Sequence, residues 1–190
     1  MKINELVGYK GKPEYQVFKN PPIENDKWTK NKQLKAIVNK LDDLGYKQYS
    51  LGFGYYAQVY ARPQDDYVVK IFREDPGYAA FLHYVKKNAN NPYVPKLKGK
   101  IIKLPNDYSI VRLEKLKRLN IDLFKKIEFA AFNEFDKHTV AEIEGQYPGL
   151  ISFIRSLRKQ AAQSKYEFDL NPNNIMMRGD TPVVTDPFAG

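Results

Sequence analysis

Apolar residues recur at helical spacing at Leu34, Ile37, Val38, Leu41 and Leu44, which predicts an amphipathic helix stopped by Gly45. The period then shortens. Residues 46–61, rich in tyrosine and containing Gly52 and Gly54, read as a two-stranded hairpin, and 67–72 as a β-rich run holding one lysine, Lys70. Pro76-Gly77 breaks the chain, and 78–87 is a predicted helix ended by Asn90, Asn91 and Pro92. Residues 101–104 and 108–113 form a predicted strand pair turned at Pro105-Asn106-Asp107. From Asp122 the helical period takes over, in Leu123, Ile127, Ala130 and Ala131. A second helix follows over 148–164, on Leu150, Phe153, Ile154, Leu157 and Ala161. Residues 168–177 read as a loop and short strand, and Val183 and Val184 begin a last strand. The first 28 residues, with Pro13, Pro21 and Pro22, read as an irregular lead-in. This order predicts an α+β protein with a β-rich first lobe and a helical second lobe. The expected divisions are 1–45 (lead-in and helix), 46–116 (first lobe) and 117–190 (second lobe).

Composition narrows the classes. With 43% hydrophobic and 14% aromatic residues in a chain of 190, a packed core is expected rather than disorder. There is no cysteine, so disulfides, thiolate zinc sites and a cysteine nucleophile are excluded. No apolar run approaches the roughly 18 residues of a spanning helix, and the first residues lack a secretory signal. A soluble cytoplasmic protein is expected, with no membrane partner. The net charge of +9 favours acidic partners such as nucleotides or nucleic acid, but the basic residues are scattered and no nucleic-acid motif accompanies them. His83 is expected to pack within a helix rather than bind metal.

Four features with chemical meaning occur in one order. Gly52 and Gly54 lie in the hairpin, where a backbone without Cβ atoms can pass close over a phosphate, and Val59 follows, fit to pack on the flat face of a base. The same glycines also suit an ordinary turn or bulge. Lys70 stands among apolar strand residues, where its ammonium needs a partner or a route to water. Asp169 is followed five residues later by Asn174, across a bend at Pro172. Phosphoryl transfer needs a carboxylate to orient the attacking hydroxyl and oxygen ligands for magnesium, although Asn and Pro also build polar turns. Asp186 follows the apolar Pro182-Val183-Val184, at a strand end where a carboxylate can hold a metal ion, although Asp186-Pro187 also suits an ordinary turn.

Taken together the pattern resembles the protein-kinase superfamily. More particularly, Leu51 to Val59, the lysine run and Phe168 to Phe188 are similar to the serine/threonine kinase of T7-like phages and related small phage and bacterial kinases. The resemblance implies a bilobal kinase-like fold with a reduced helical second lobe, and an enzyme using ATP and Mg2+. It implies that Lys70 pairs with the α- and β-phosphates and that Asp169 is the catalytic-loop aspartate. Asn174 and Asp186 would bind magnesium, and the backbone near Glu114, in Leu113-Glu114-Lys115-Leu116, would hold adenine at the hinge. A protein substrate is implied, with a phage or bacterial effector acting in a host cytoplasm as the corresponding role.

The sequence also departs from that family. Ala57 replaces the third glycine, Glu167-Phe168 replace His-Arg, Pro187-Phe188 replace Phe-Gly, and Asn171 stands where a lysine is usual. No glutamate occurs in 78–87 to pair with Lys70, which leaves Glu74 or Asp75 as substitutes. With no Ala-Pro-Glu motif after Asp186, a protein acceptor is expected to need another platform, such as the helical stretch 119–146. A small-molecule phosphotransferase of the aminoglycoside or choline kinase kind and a non-catalytic pseudokinase module are the alternatives.

Overall fold

The computed structural model describes residues 32–49, 57–73, 75–104, 107–133 and 135–189. The expected glycines Gly52 and Gly54, and Glu74, lie outside them. The chain is a mixed α/β protein that divides into two packing units, one including 57–73 and Lys98–Lys115, the other including 75–97 and 116–189.

In the first unit, α1 (Lys32–Asp43) lays Leu34, Ile37, Val38 and Leu41, with Leu44 just after it, on a five-stranded antiparallel sheet. The strands are β1 (Lys47–Gln48), β2 (Ala57–Ala61), β3 (Tyr67–Arg73), β4 (Ile102–Leu104) and β5 (Tyr108–Glu114), in the order β1-β2-β3-β5-β4. Leu34 and Leu41 are buried with Tyr46, Tyr60, Val69, Ile71, Tyr108 and Ile110, so the helical stripe and one face of the sheet form one core. The helix stops where the sequence indicates. Gly45 has φ 82°, its N–H donates to the Asp42 carbonyl, and the Tyr46 N–H donates to the Leu41 carbonyl. That double closure suits glycine because a side chain there is strained.

A buried ion pair fixes this junction. Arg62 donates from Nε to Asp65 Oδ2 at 2.9 Å, from Nη2 to Oδ1 at 3.2 Å, and from Nη1 to the Leu44 carbonyl at 3.1 Å. Its guanidinium covers the Tyr46 ring at 4.4 Å, and the Tyr46 hydroxyl donates to Asp65 Oδ2 at 2.7 Å. Burial, followed by the bonds to Tyr67 and Asp65, pushes the Tyr46 hydroxyl far above its ordinary range, so it stays protonated and donating.

The second unit begins with α2 (Pro76–Lys87). Asp75 caps it, its Oδ1 accepting the Tyr78 N–H at 3.1 Å. Pro76-Gly77, expected to break the chain, are instead its first turn, where proline lacks nothing because those N–H groups have no helical partner. His83 lies in this helix but is exposed, a correction to the expectation that it packs. Then come β6 (Lys117–Arg118), α3 (Ile121–Phe132), α4 (Lys137–Gln146) and α5 (Leu150–Ser164). These three helices pack on one another through Phe124, Ile127, Ile143, Leu150, Ile154 and Leu157. The unit ends in β7 (Glu167–Phe168), β8 (Ile175–Arg178), β9 (Thr181–Val184) and β10 (Phe188–Ala189). β6-β8-β9 form one antiparallel sheet and β7 pairs with β10. Among the described residues no helix is long and apolar enough to cross a membrane.

Candidate functional site

Three sequence-predicted residues of the second unit are brought together by backbone pairing. β7 and β10 pair Phe168 with Phe188, and beyond that pair the Asp169 N–H donates to the Pro187 carbonyl at 2.9 Å. β8 and β9 pair Ile175 with Val184, and beyond that pair the Thr185 N–H donates to the Asn174 carbonyl at 2.8 Å. Asp186 therefore sits between two residues whose backbones are tied to Asn174 and to Asp169. Two short hairpin-like pairings, neither of which is long enough to be stable alone, converge on one frame.

Packing holds that frame in place. Phe188 is buried, edge-on to Phe81 of α2 at 5.8 Å and stacked on Tyr166 at 6.2 Å. A Cβ on Gly77 would lie 3.0 Å from the Phe188 carbonyl oxygen and 3.2 Å from the Ala189 carbonyl carbon, so α2 and β10 touch where only glycine fits without a shift. On the other side, the Val184 N–H donates to the Tyr93 carbonyl at 2.9 Å. Arg178 donates to the carbonyls of Pro92 and Val94 at 2.8 and 2.7 Å, which fixes the loop that supplies it.

Within the frame the side chains are ordered by Asp169. Its Oδ2 accepts from Asn171 Nδ2 at 2.8 Å and from Asn174 Nδ2 at 3.1 Å, and Asn174 Nδ2 also reaches the Asp169 carbonyl at 2.9 Å. Both acceptors around Asn174 Nδ2 are oxygens, so the amide is oriented with its NH2 toward Asp169 and Oδ1 facing away. Asn171 Oδ1 accepts the Asn173 N–H at 2.8 Å, and the Asn171 carbonyl accepts the Asn174 N–H at 2.9 Å, an Asx turn closed on the residue that follows Pro172. Asp169, Asn171, Asn174 and Asp186 are all partly exposed. Sequence reasoning passed over Asn171 except as a departure, although the run Asn171-Pro172-Asn173-Asn174 carried the turn signal.

The residues that could offer oxygens to a metal here are Asp186, with a carboxylate, and Asn174, with its amide Oδ1. That fits magnesium, which takes one or two protein oxygens and completes its shell with water and phosphate. No group of three or more His, Cys, Asp or Glu that could hold a metal occurs among the described residues, so zinc-type cages find no support there.

The remaining expected residues belong to the first unit. Lys70 lies mid-β3, half-buried, in register with Val59 of β2 and Val111 of β5. Cross-strand partners share a sheet face, so Val59, itself buried, is the lateral neighbour of Lys70. Glu114 ends β5 and is buried opposite Tyr67. The Lys115 N–H donates to the Asp66 carbonyl at 2.8 Å and its Nζ to the Arg62 carbonyl at 2.9 Å. Burial lowers the affinity of that ammonium for its proton, partly opposed by Asp65.

Comparison with known proteins adds little. No family model and no curated protein matches the sequence. Among solved structures the chain is similar to Rad53 1–466 in complex with AMP-PNP, at a TM-score of 0.42 and 17% identity over 82% of this chain. The match spans 42% of that solved chain, less than half its length.

Proposed function

We propose that the protein is an ATP- and magnesium-dependent phosphotransferase with a protein-kinase-like fold, acting on hydroxyl groups of proteins. The observation that carries this reading is the frame Asp169–Asn174–Thr185–Pro187, which sets a carboxylate, an amide oxygen and a second carboxylate on neighbouring backbones. Asp169 orients the acceptor hydroxyl and takes its proton as the oxygen attacks the γ-phosphorus and ADP leaves. Asn174 and Asp186 would hold magnesium, which would supply charge neutralisation at the phosphates. Lys70 supplies the cation for the α- and β-phosphates, Gly52 and Gly54 the close backbone approach, and Val59 and the backbone at Glu114 the adenine contacts.

A polypeptide acceptor is supported by the exposed aromatic face of α3 and its following turn. Phe129 is 48%, Phe132 42% and Phe135 95% exposed, and Phe132 touches the ring of Phe168, the residue before Asp169. Clustered exposed aromatics mark contact surfaces more often than single ones do. A small-molecule acceptor is the second reading, favoured by the neutral Asn171 in place of a lysine.

The test is incubation of the protein with γ-labelled ATP, magnesium and a cell lysate, beside Asp186→Ala. Labelled protein bands that vanish in the variant support the proposal. Magnesium-dependent ATP binding with no protein labelling, but turnover on a panel of sugars and amino alcohols, favours the second reading. No nucleotide binding rejects both in favour of a pseudokinase module.

A further inference from the structure

Asp169 presents two unequal oxygens. Oδ2 accepts two amide N–H bonds, from Asn171 at 2.8 Å and Asn174 at 3.1 Å, while Oδ1 takes no hydrogen bond from the described residues. A carboxylate held by two donors on one oxygen is fixed in rotation about its last torsion, and its second oxygen points where the first does not. Asn171 is itself immobilised. Its Oδ1 accepts the Asn173 N–H at 2.8 Å and its carbonyl the Asn174 N–H at 2.9 Å, so three hydrogen bonds hold it. The amide of Asn171 is thus spent on Asp169 and on its own turn.

We infer that Asn171 is a positioning residue: with Asn174 it clamps Oδ2 of Asp169 and commits Oδ1 to the acceptor hydroxyl. This rests on the phosphotransferase reading above and specifies it. The proton of the hydroxyl goes to Oδ1, the new O–P bond forms at the γ-phosphorus, and the bond to the ADP oxygen breaks. The clamp is neutral, so this loop places no cation beside the transferred phosphoryl group. Stabilisation of its charge would fall to magnesium, for which Asn174 and Asp186 would be the protein ligands. Asn171 touches neither substrate in this assignment; it acts through Asp169.

Two substitutions separate positioning from mere turn formation. Asn171→Asp keeps an oxygen for the Asn173 N–H, and so keeps the Asx turn, but loses the donor to Asp169. Asn171→Ala loses both. Each variant and the wild type are assayed with γ-labelled ATP, magnesium and dephosphorylated casein, with nucleotide affinity and thermal unfolding measured alongside. The expected result is a fall in kcat of about 10- to 100-fold in both variants, the equivalent of one hydrogen bond to a charged group, with the KM for ATP within about twofold. The melting temperature should fall less in Asn171→Asp than in Asn171→Ala. Wild-type kcat in Asn171→Asp would overturn the inference and leave Asn171 as a turn residue only. Loss of activity that tracks loss of the folded state, with kcat per folded molecule unchanged, overturns it equally. No transfer by the wild type to casein, to lysate proteins, to the panel of sugars and amino alcohols or to water would sink the phosphotransferase reading itself, and the inference with it.

Discussion

Replacing Arg62 with methionine removes the cation of the buried pair while leaving apolar bulk against the Tyr46 ring. Arg62 is 1% exposed and the Asp65 side chain 10%, so Asp65 is left with a carboxylate it cannot hydrate fully. Stranding one member of such a pair costs about 3–5 kcal/mol. The hydrogen bond from the Tyr46 hydroxyl to Asp65 remains and offsets part of that, while the lost bond to the Leu44 carbonyl adds roughly 1 kcal/mol. The net expectation is a destabilisation of about 3–4 kcal/mol, concentrated where α1 meets the sheet that carries Lys70. Urea unfolding followed by far-ultraviolet circular dichroism measures it. The double variant Arg62→Met/Asp65→Leu removes both charges and should recover to within about 1 kcal/mol of the wild type, since a buried pair and an apolar replacement are often equivalent. A single variant within about 1 kcal/mol of the wild type, or a double variant no better than the single, would refute the reasoning that the pair is buried and mutually dependent.

Two further expectations concern the second unit. Gly149, which precedes α5, offers no side chain to cap it; Glu144 from α4 does so instead, accepting the N–H groups of Gly149, Ile151 and Ser152. Glu144→Ala should therefore destabilise by about 1–2 kcal/mol, as loss of an N-cap does, and Glu144→Gln by less, read from thermal or urea unfolding. Asp136 caps α4, and its carboxyl is held below the usual range by the Thr139 N–H first and then by the Thr139 hydroxyl. Its folded affinity for a proton is the lower one, so its contribution is complete above the unfolded carboxylate value of about 4 and is lost as pH falls through the folded value. Asp136→Asn keeps an acceptor but cannot titrate, and should flatten its share of the acid limb in a plot of melting temperature against pH.

Elements with a long apolar stripe were legible in the sequence: α1, whose five spaced residues and Gly45 stop all appear in the structure, and α5, whose buried residues are those the period picks out. α4 fell within the expected helical stretch 119–146 but was not set apart as a helix of its own, because its ten residues bury only Ile143 and so carry almost no stripe. Its one local signal, Asp136 three residues before Thr139, is a cap and reads equally as a turn. β6, β7 and β10 are two residues each, and β6 is wholly exposed; such strands exist through their partners and leave no periodic trace. Within the candidate site, Asp169, Asn174 and Asp186 stood out by their joint order and by the family resemblance, since each segment by itself also reads as a polar turn. The clamp on Oδ2 was not legible, because it depends on which way the Asn171 and Asn174 amides face, and that is decided by the Asx turn and the β8–β9 pairing rather than by residue type.

In the proposed reaction Asp169 acts on the acceptor of the phosphoryl group rather than on nucleotide binding. Asp169→Asn, nearly isosteric, tests it in a single-turnover experiment with magnesium and γ-labelled ATP, beside a titration of nucleotide binding. Transfer should slow by about 100-fold or more, the usual share of a positioned base, with the Kd for magnesium-ATP within about threefold of the wild type. Transfer at the wild-type rate, or a loss explained wholly by weakened nucleotide binding, would contradict it.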